Sequence, residues 1–216
     1  RPRPYPHSQT PAPLVGGLVD RLIDRGTQGA VVRVGSDLAQ CMAQLTAARV
    51  RFSPAPDRVN TETCGLRQGG VLGADMGTVA RMAPGDVDMT CQTALALSIW
   101  RRQSVEPAAR EILGSEVVQI DHFGAYACRN VNNGVGSNRI SAHAQAAALD
   151  FAGVRLRDGR RITVADDWSG DTAEARFLRR IRDDACRVFG TTLSPDYNAV
   201  HRDHLHLEAT DTRFCR

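Results

Sequence analysis

Six cysteines scattered from residue 41 to residue 215 constrain the fold more than any other feature of the sequence. No two of them form a Cys-x-x-Cys pair, which argues against a thiolate zinc site or a thioredoxin-like motif. An even number of dispersed cysteines is typical of disulfide bonds in an oxidising compartment, with free buried thiols as the alternative. Although the connectivity cannot be deduced from sequence alone, we expect bonds between neighbours along the chain: Cys41–Cys64, Cys91–Cys128 and Cys186–Cys215.

The ends of the chain suggest one domain with an N-terminal extension. Residues 1–13 are rich in proline, which lacks an amide donor and fixes φ, so this stretch is expected to be an extended linker. We take residues 1–35 as linker and lead-in segment and residues 36–216 as the domain. The chain begins with Arg1 and carries no apolar run long enough to span a membrane. With the cysteines, this predicts a periplasmic, extracellular or cell-envelope protein whose signal or membrane anchor lies upstream.

The charge distribution argues against a nucleic-acid partner. The net charge is only +3, and the 27 basic residues, all of them arginine, are spread along the chain. No basic patch interleaved with aromatic residues is present, as a nucleic-acid surface would require. The use of arginine alone indicates a coding bias.

Hydrophobic spacing predicts a mixture of helices and strands without regular alternation. Helices are expected from Ser36, from Asp88 to Gln103, from Pro107 to Gly114, and from Asp171 or Thr172 to Gly190. Strands are expected at Cys64–Leu72, at Val117–Cys128, on both sides of the Asp158-Gly159 turn, and at His201–Glu208. This order predicts an α+β domain in which helices pack on an antiparallel sheet, stabilised by disulfides.

The final predicted strand, His201–Glu208, holds half of the six histidines. In an extended strand, Leu205 and Leu207 would face one side, and His204 and His206 the other. A core-packed strand presents metal-binding or catalytic groups to a cleft in this way, whereas a polar surface strand would be the alternative.

A catalytic zinc site needs three nitrogen or oxygen ligands and one open position, so partners must come from elsewhere. The remaining histidines outside the N-terminal linker are His122 and His143. Asp150 follows His143 by seven residues, and the residues between them are small. A tight turn or a helix would each place both side chains on one side.

Three segments together resemble a known family. They are Arg139-Ile140-Ser141-Ala142-His143, Ala148-Leu149-Asp150 and Asp203-His204-Leu205-His206. The pattern is similar to that of the extensin-like C-terminal domain family, which is related to the D-alanyl-D-alanine zinc metallopeptidases that share a fold with hedgehog signalling domains. The resemblance covers roughly Leu38 to Cys215.

The resemblance implies a site and a role for each matching residue. It implies three zinc ligands: His143, Asp150 and His206. Asp203 would be the general base that takes a proton from the attacking water and passes it to the leaving amine. His204 would stabilise the oxyanion or orient the water. Arg129 and Arg139 would hold a substrate carboxylate, with a solvated surface position as the alternative for both.

The chain departs from the family pattern at two positions. Ala146 stands three residues after the first ligand, where the related peptidases usually have glycine, and strain follows if that position needs a positive φ. Asp203 stands where the related carboxypeptidases use the longer glutamate. An ideal strand would also put Asp203 and His206 on opposite faces, so a bulge or a late strand start is required.

The implied function is zinc-dependent hydrolysis of peptidoglycan stem peptides or cross-links, by D,D- or L,D-endopeptidase or carboxypeptidase action. A non-catalytic, zinc-stabilised module that binds the cell wall is the alternative from a different class. A disulfide-rich domain without metal is the third interpretation. The sequence leaves the oligomeric state open.

Overall fold

A computed structural model describes residues 17–134 and 138–216, apart from the side chains of residues 132 and 133. The predicted proline-rich linker, residues 1–13, lies outside this range. The helices are α1 Thr27–Gly35, α2 Leu38–Ala47, α3 Cys91–Trp100, α4 Glu106–Ala108, α5 Val164–Asp167 and α6 Ala173–Ala185. Two π-helical segments, Arg101–Val105 and Ala109–Leu113, join and extend α3 and α4, and 3-10 turns lie at Leu18–Asp20, Val131–Gly134, Ala142–Gln145 and Ala199–His201.

The strands form a seven-stranded sheet, a three-stranded sheet and a two-stranded sheet. They are β1 Val50–Pro54, β2 Arg58–Val59, β3 Gly65–Leu66, β4 Gly69–Asp75, β5 Arg81–Ala83, β6 Val87–Thr90, β7 Val117–His122, β8 Ala148–Leu156, β9 Arg161–Thr163, β10 Thr191–Leu193, β11 Leu205–Glu208 and β12 Phe214–Cys215. The prediction of a mixed α+β fold with disulfides is confirmed.

The large sheet is built around β8, which is buried along its length except at Arg155. Its order is β12-β10-β11-β8-β7-β5, and β9 also pairs with β8. The pairs of the central strands are antiparallel, as predicted, but β5 pairs with β7 and β10 pairs with β12 in parallel. The predicted antiparallel sheet therefore carries one parallel pair at each edge. The long helical connection between β5 and β7 is the kind of crossover that a parallel pair requires.

The starts of α2 and α6 agree with the capping residues identified in the sequence. Asp37 accepts a hydrogen bond from the amide of Gln40 at the start of α2. Thr172 does the same for the amide of Ala175 at the start of α6. A side-chain oxygen at this position satisfies an amide that has no partner within the helix. Helix α6 ends at Ala185, five residues before the predicted Gly190.

Other predicted boundaries were wrong. The segment Val87–Thr90 is a strand, so the helix predicted from Asp88 begins only at Cys91. It then continues past Pro107, where we expected a new helix to start. The chain widens to π-helical turns on both sides of this proline, whose ring lacks an amide donor.

Two predicted strands are also shorter than expected. The segment predicted as one strand from Cys64 to Leu72 is divided into β3 and β4. Strand β7 ends at His122, and the chain from there to Cys128 forms a loop.

The core joins α3 and α6 to the large sheet through Trp100. Its ring is fully buried and packs edge-on against Phe151, at 5.2 Å between centroids, and Phe189, at 6.2 Å. The indole N–H donates to the carbonyl of Ile181 in α6 over 2.8 Å. A buried tryptophan usually finds such a partner, and here the bond links two helices.

The N-terminal lead-in belongs to the same core. Leu18, Val19 and Val31 are buried in the cluster that also contains Trp100. Helix α1 packs against α3, so the lead-in segment contributes side chains to this core. None of the helices in the described ranges is long and apolar enough to cross a membrane.

All six cysteines are bonded, so the alternative of free thiols is wrong. The pairs are Cys41–Cys91, Cys64–Cys128 and Cys186–Cys215, with Cα atoms 6.2, 5.6 and 5.7 Å apart. Only the last of the three predicted pairs is confirmed. The expected Cys41–Cys64 and Cys91–Cys128 bonds are wrong, because α2 packs on α3 and because the turn at Cys64 lies beside the loop after β7.

Candidate metal centre

Three elements bring together the three predicted ligands. His143 lies in the 3-10 turn Ala142–Gln145. Ser141 caps this turn, because its hydroxyl accepts a hydrogen bond from the amide of His143. Asp150 lies in the buried strand β8, and His206 lies in β11. The register of these two strands sets Asp150 directly opposite His206.

The ligand atoms form a small triangle. His143 Nε2 lies 2.9 Å from Asp150 Oδ1 and 3.1 Å from His206 Nδ1, and the last two atoms are 3.2 Å apart. The three residues are buried, with exposed fractions of 2, 8 and 7 %. In a tetrahedral site with metal–ligand bonds of about 2.0–2.1 Å, ligand atoms lie about 3.3 Å apart. The triangle therefore has the dimensions of a metal site, and it is the one such group in the described residues.

The outer nitrogen of each imidazole has its own partner. His143 Nδ1 lies 2.8 Å from the carbonyl oxygen of Ala125, and His206 Nε2 lies 3.1 Å from Glu208 Oε2. Since both partners accept hydrogen bonds, both outer nitrogens carry a proton. His143 Nε2 and His206 Nδ1 are then the atoms available to a cation. Such outer contacts fix the orientation of metal-binding imidazoles.

The charges of the triangle favour a cation at its centre. Burial alone would raise the pKa of Asp150, but the contacts of its carboxylate with His143 and His206 hold it well below its usual range. Burial alone would lower the pKa of His206, but hydrogen bonds to Asp150 and Glu208 raise it to about 9. The site thus holds a proton at the point where the three ligand atoms meet, and a metal ion bound there would displace it.

Metal binding is accordingly expected to depend on pH through His206. Below pH about 9 a metal ion competes with this proton, so affinity should rise about tenfold per pH unit from pH 7 and level off above 9. The metal-free protein should behave in the opposite sense. Because the folded pKa lies above the unfolded value, the stabilisation is complete below pH about 6.5 and is lost as the pH rises through 9.

Chelator-competition titrations of metal affinity and urea unfolding of the metal-free protein, each between pH 6 and 10, measure the two trends. A metal affinity that is flat over this range would contradict the assignment of the proton to His206.

Four other predicted site residues lie around the triangle. Arg129 Nη2 is 3.5 Å from Asp150 Oδ2, and both Arg129 and Arg139 line the cleft that opens beside it. His204 Nε2 is 3.6 Å from Asp150 Oδ1, and His204 Nδ1 is 2.8 Å from Asp203 Oδ1. Strand β11 begins only at Leu205, so Asp203 precedes the strand. The alternation of an ideal strand therefore does not force Asp203 and His206 onto opposite faces.

The two histidines without an assigned role have separate environments. His201 donates from Nδ1 to Asn198 Oδ1 over 2.6 Å, and its ring packs 5.1 Å from that of His204. Burial and then the neighbouring histidines lower the pKa of His201 to about 4. His122 instead contacts the carbonyl of Pro84 and accepts the amide of Gly124, so it holds the loop after β7.

The cleft has a volume of about 910 Å³, within the range of small-ligand sites. Asp150 and His206 lie in its wall, so the triangle is reached from it. Phe123, Tyr197 and Phe214 are among the exposed large apolar side chains, and all three line it.

Ala146 occupies the left-handed region, with φ of 52°. Its carbonyl accepts hydrogen bonds from the amide of Thr90 and the hydroxyl of Thr93. These bonds hold the turn after His143 against α3. The requirement for a positive φ is thereby confirmed, and alanine there carries a strain of about 1 kcal/mol relative to glycine.

The disulfide Cys64–Cys128 anchors the loop that supplies Ala125 and Arg129 to the site. Removing it by a double alanine substitution should lower the free energy of unfolding by about 4 kcal/mol. Removing Cys41–Cys91 in the same way should lower it by about as much, because the two bonds close loops of similar length, 64 and 50 residues. Only the Cys64–Cys128 variant should also bind metal more weakly, by about tenfold.

Urea unfolding and metal titration of the two variants test this difference. Equal metal affinities would contradict the anchoring role of Cys64–Cys128.

Comparison with known protein families supports the extensin-like resemblance seen in the sequence. One family model, described as the extensin-like protein C-terminus, matches residues 39–216. No curated protein and no solved structure matches the chain. Because the match covers far more than half of the sequence, the chain belongs to the extensin-like C-terminal family.

Proposed function

We propose that the chain is a zinc-dependent hydrolase of peptidoglycan peptides in the bacterial cell envelope. The observation that carries the proposal is the buried triangle of His143, Asp150 and His206 in the wall of a cleft. Two imidazole nitrogens and one carboxylate oxygen are a ligand set of catalytic zinc sites, which keep a further position for water or substrate. Bound zinc would lower the pKa of water towards neutrality and polarise the carbonyl to be attacked.

The resemblance implies Asp203 as the general base; because its carboxylate contacts His204, we propose that the two residues move the proton as one unit. Asp203 accepts a hydrogen bond from His204 Nδ1, which leaves His204 Nε2 as the basic atom towards the triangle. Of the two groups His204 is almost buried, whereas the side chain of Asp203 is 40 % exposed. The imidazole would therefore exchange the proton with the attacking water and the leaving amine, while the carboxylate orients it and stabilises its charged form.

The choice of substrate rests on the resemblance and on charge. Related D-alanyl-D-alanine metallopeptidases act on peptides that end in carboxylates, and kinship with them and with the hedgehog fold is part of the proposal. Arg129 and Arg139 in the cleft suit a carboxylate, because guanidinium groups bind it with two parallel hydrogen bonds. The three disulfides are consistent with a secreted or envelope protein, and we propose a periplasmic or extracellular location.

The test is product analysis by mass spectrometry after incubation with purified peptidoglycan and with defined muropeptides. The zinc-loaded protein should release peptides, the chelated protein should release none, and added zinc should restore release. The masses of the products would identify the bond as D,D or L,D, and as internal or terminal. No release by zinc-loaded protein from any of these substrates would overturn the hydrolase proposal.

A zinc-stabilised module that binds the cell wall is the second candidate. It is favoured by Asp203, whose carboxylate contacts His204 and is shorter than the glutamate of the related carboxypeptidases. Co-sedimentation with peptidoglycan that leaves all muropeptide masses unchanged would support this candidate over the hydrolase.

A further inference from the structure

We propose that Glu208 is a positioning residue that makes Nδ1 the metal-binding atom of His206. The inference rests on the metal-binding part of the proposed function and is independent of hydrolysis. The family resemblance assigned no role to Glu208. It differs from the ligands in that it lies behind the imidazole and acts on the metal only through it.

Strand geometry places the carboxylate behind the ring. Glu208 follows His206 by two residues in β11, so the two side chains project from the same face of the sheet. Glu208 Oε2 lies 3.1 Å from His206 Nε2, on the side of the ring opposite the triangle. The two side chains are only 19 and 9 % exposed. Solvent therefore competes weakly with this contact.

The carboxylate itself is held in one orientation. Its other oxygen, Oε1, accepts the hydroxyl of Thr210 over 3.0 Å. That hydroxyl lies 2.8 Å from the hydroxyl of Thr212, which lies 2.7 Å from that of Thr191 in the neighbouring strand β10. Both oxygens of Glu208 are thus occupied, and the chain of hydroxyl groups ties its position to strand β10.

The contact decides which tautomer of His206 is present. A neutral imidazole carries one proton, on either nitrogen. An acceptor fixed at Nε2 keeps the proton there and leaves the lone pair on Nδ1, which points to His143 and Asp150. Without Glu208 both tautomers would be populated and the ring could turn. For His143 the same task falls to the backbone carbonyl of Ala125, so Glu208 is the outer partner that a substitution can remove.

Zinc affinity of the full chain, measured by chelator competition with Zn²⁺ alone, tests the proposal. The wild type and all variants are measured at one and the same pH. Glu208→Ala should bind zinc roughly 10- to 100-fold more weakly than the wild type, as expected for the loss of an outer partner. Glu208→Gln retains an acceptor oxygen and should recover most of the loss. Nitrogen NMR of the zinc-loaded wild type should show the proton of His206 on Nε2.

Glu116→Ala is the matched control, since it also removes a carboxylate that forms ion pairs, with Arg157 and Arg110, but outside the site. Its zinc affinity should equal that of the wild type. Thermal unfolding of the metal-free variants distinguishes the positioning role from a purely structural one. If the role were purely structural, Glu208→Ala would unfold at a lower temperature but bind zinc as tightly as the wild type.

Wild-type zinc affinity in Glu208→Ala would overturn the inference alone. A wild type that binds no zinc would overturn both the inference and the proposed metal centre. A wild type that binds zinc but releases no peptide would contradict only the proposed hydrolase activity and would not affect the inference about Glu208.

Discussion

Replacing Asp150 with alanine is expected to lower zinc affinity by roughly a thousandfold, because it removes one of three ligands and the only charged one. It also leaves Arg129 without its carboxylate partner and removes the hydrogen bond that Asp150 forms with His206. Chelator competition and metal content after dialysis would measure the loss. In addition, zinc at a thousand times the wild-type Kd should stabilise the wild type by about 4 kcal/mol but the variant by only about 0.4 kcal/mol, because that concentration equals the variant's Kd.

Asp121→Ala is the matched control for this substitution. Asp121 lies in the adjacent strand β7, is similarly buried, and is paired with Arg155 and Arg161. It should retain wild-type zinc affinity. His201→Ala should do so as well, since His201 lies outside the triangle. Near-normal zinc binding by Asp150→Ala would show that the metal, if bound, is held elsewhere.

Peptide release is expected to fall by about 10²–10⁴-fold in His204→Ala, because this variant lacks the group proposed to transfer the proton. Asp203→Asn should also lose most activity, because its neutral amide oxygen can still accept from His204 Nδ1 but no longer stabilises the imidazolium that proton transfer creates. If the two residues act as one unit, the double variant should be no slower than the slower single variant. Rates of muropeptide cleavage at saturating zinc would measure all three.

Zinc content separates this effect from loss of the metal, and it should stay at the wild-type level in each variant. Asp158→Asn, on the β8–β9 hairpin, is the control for a carboxylate-to-amide change outside the cleft. Additive losses from His204→Ala and Asp203→Asn would contradict the paired role. Full activity of Asp203→Asn would assign the proton transfer to His204 without its carboxylate.

Features governed by local chemistry could be predicted from the sequence. Thr172 and Asp37 cap helices because a hydroxyl or carboxylate beside the first turn satisfies a free amide, whatever lies farther away. The grouping of His143, Asp150 and His206, which the family resemblance implied, is present in the structure as three buried side chains that could hold a metal ion. Glu208 could have been found from the sequence, because alternation along β11 places it on the face of His206.

Features governed by distant contacts could not be predicted. The partners of Cys41 and Cys64 depend on how α2 packs on α3 and on the path of the loop after β7. The residues next to these cysteines in the sequence indicate neither. Pro107 normally indicates a helix start, but here packing against α6 keeps one long helix intact across it.

The pairing of β8 with β11 has a consequence for how the chain reaches its native state. Asp150 faces His206 across the ladder, with Leu205 opposite Phe151 and Leu207 opposite Leu149. A slip of one residue would set a leucine against Asp150 and turn the imidazole of His206 towards the core. Only the correctly aligned pair can offer both ligand atoms to one ion. Metal binding would thus stabilise only the correct register. During refolding, molecules with misaligned strands would shift towards this register, because only it retains the ion.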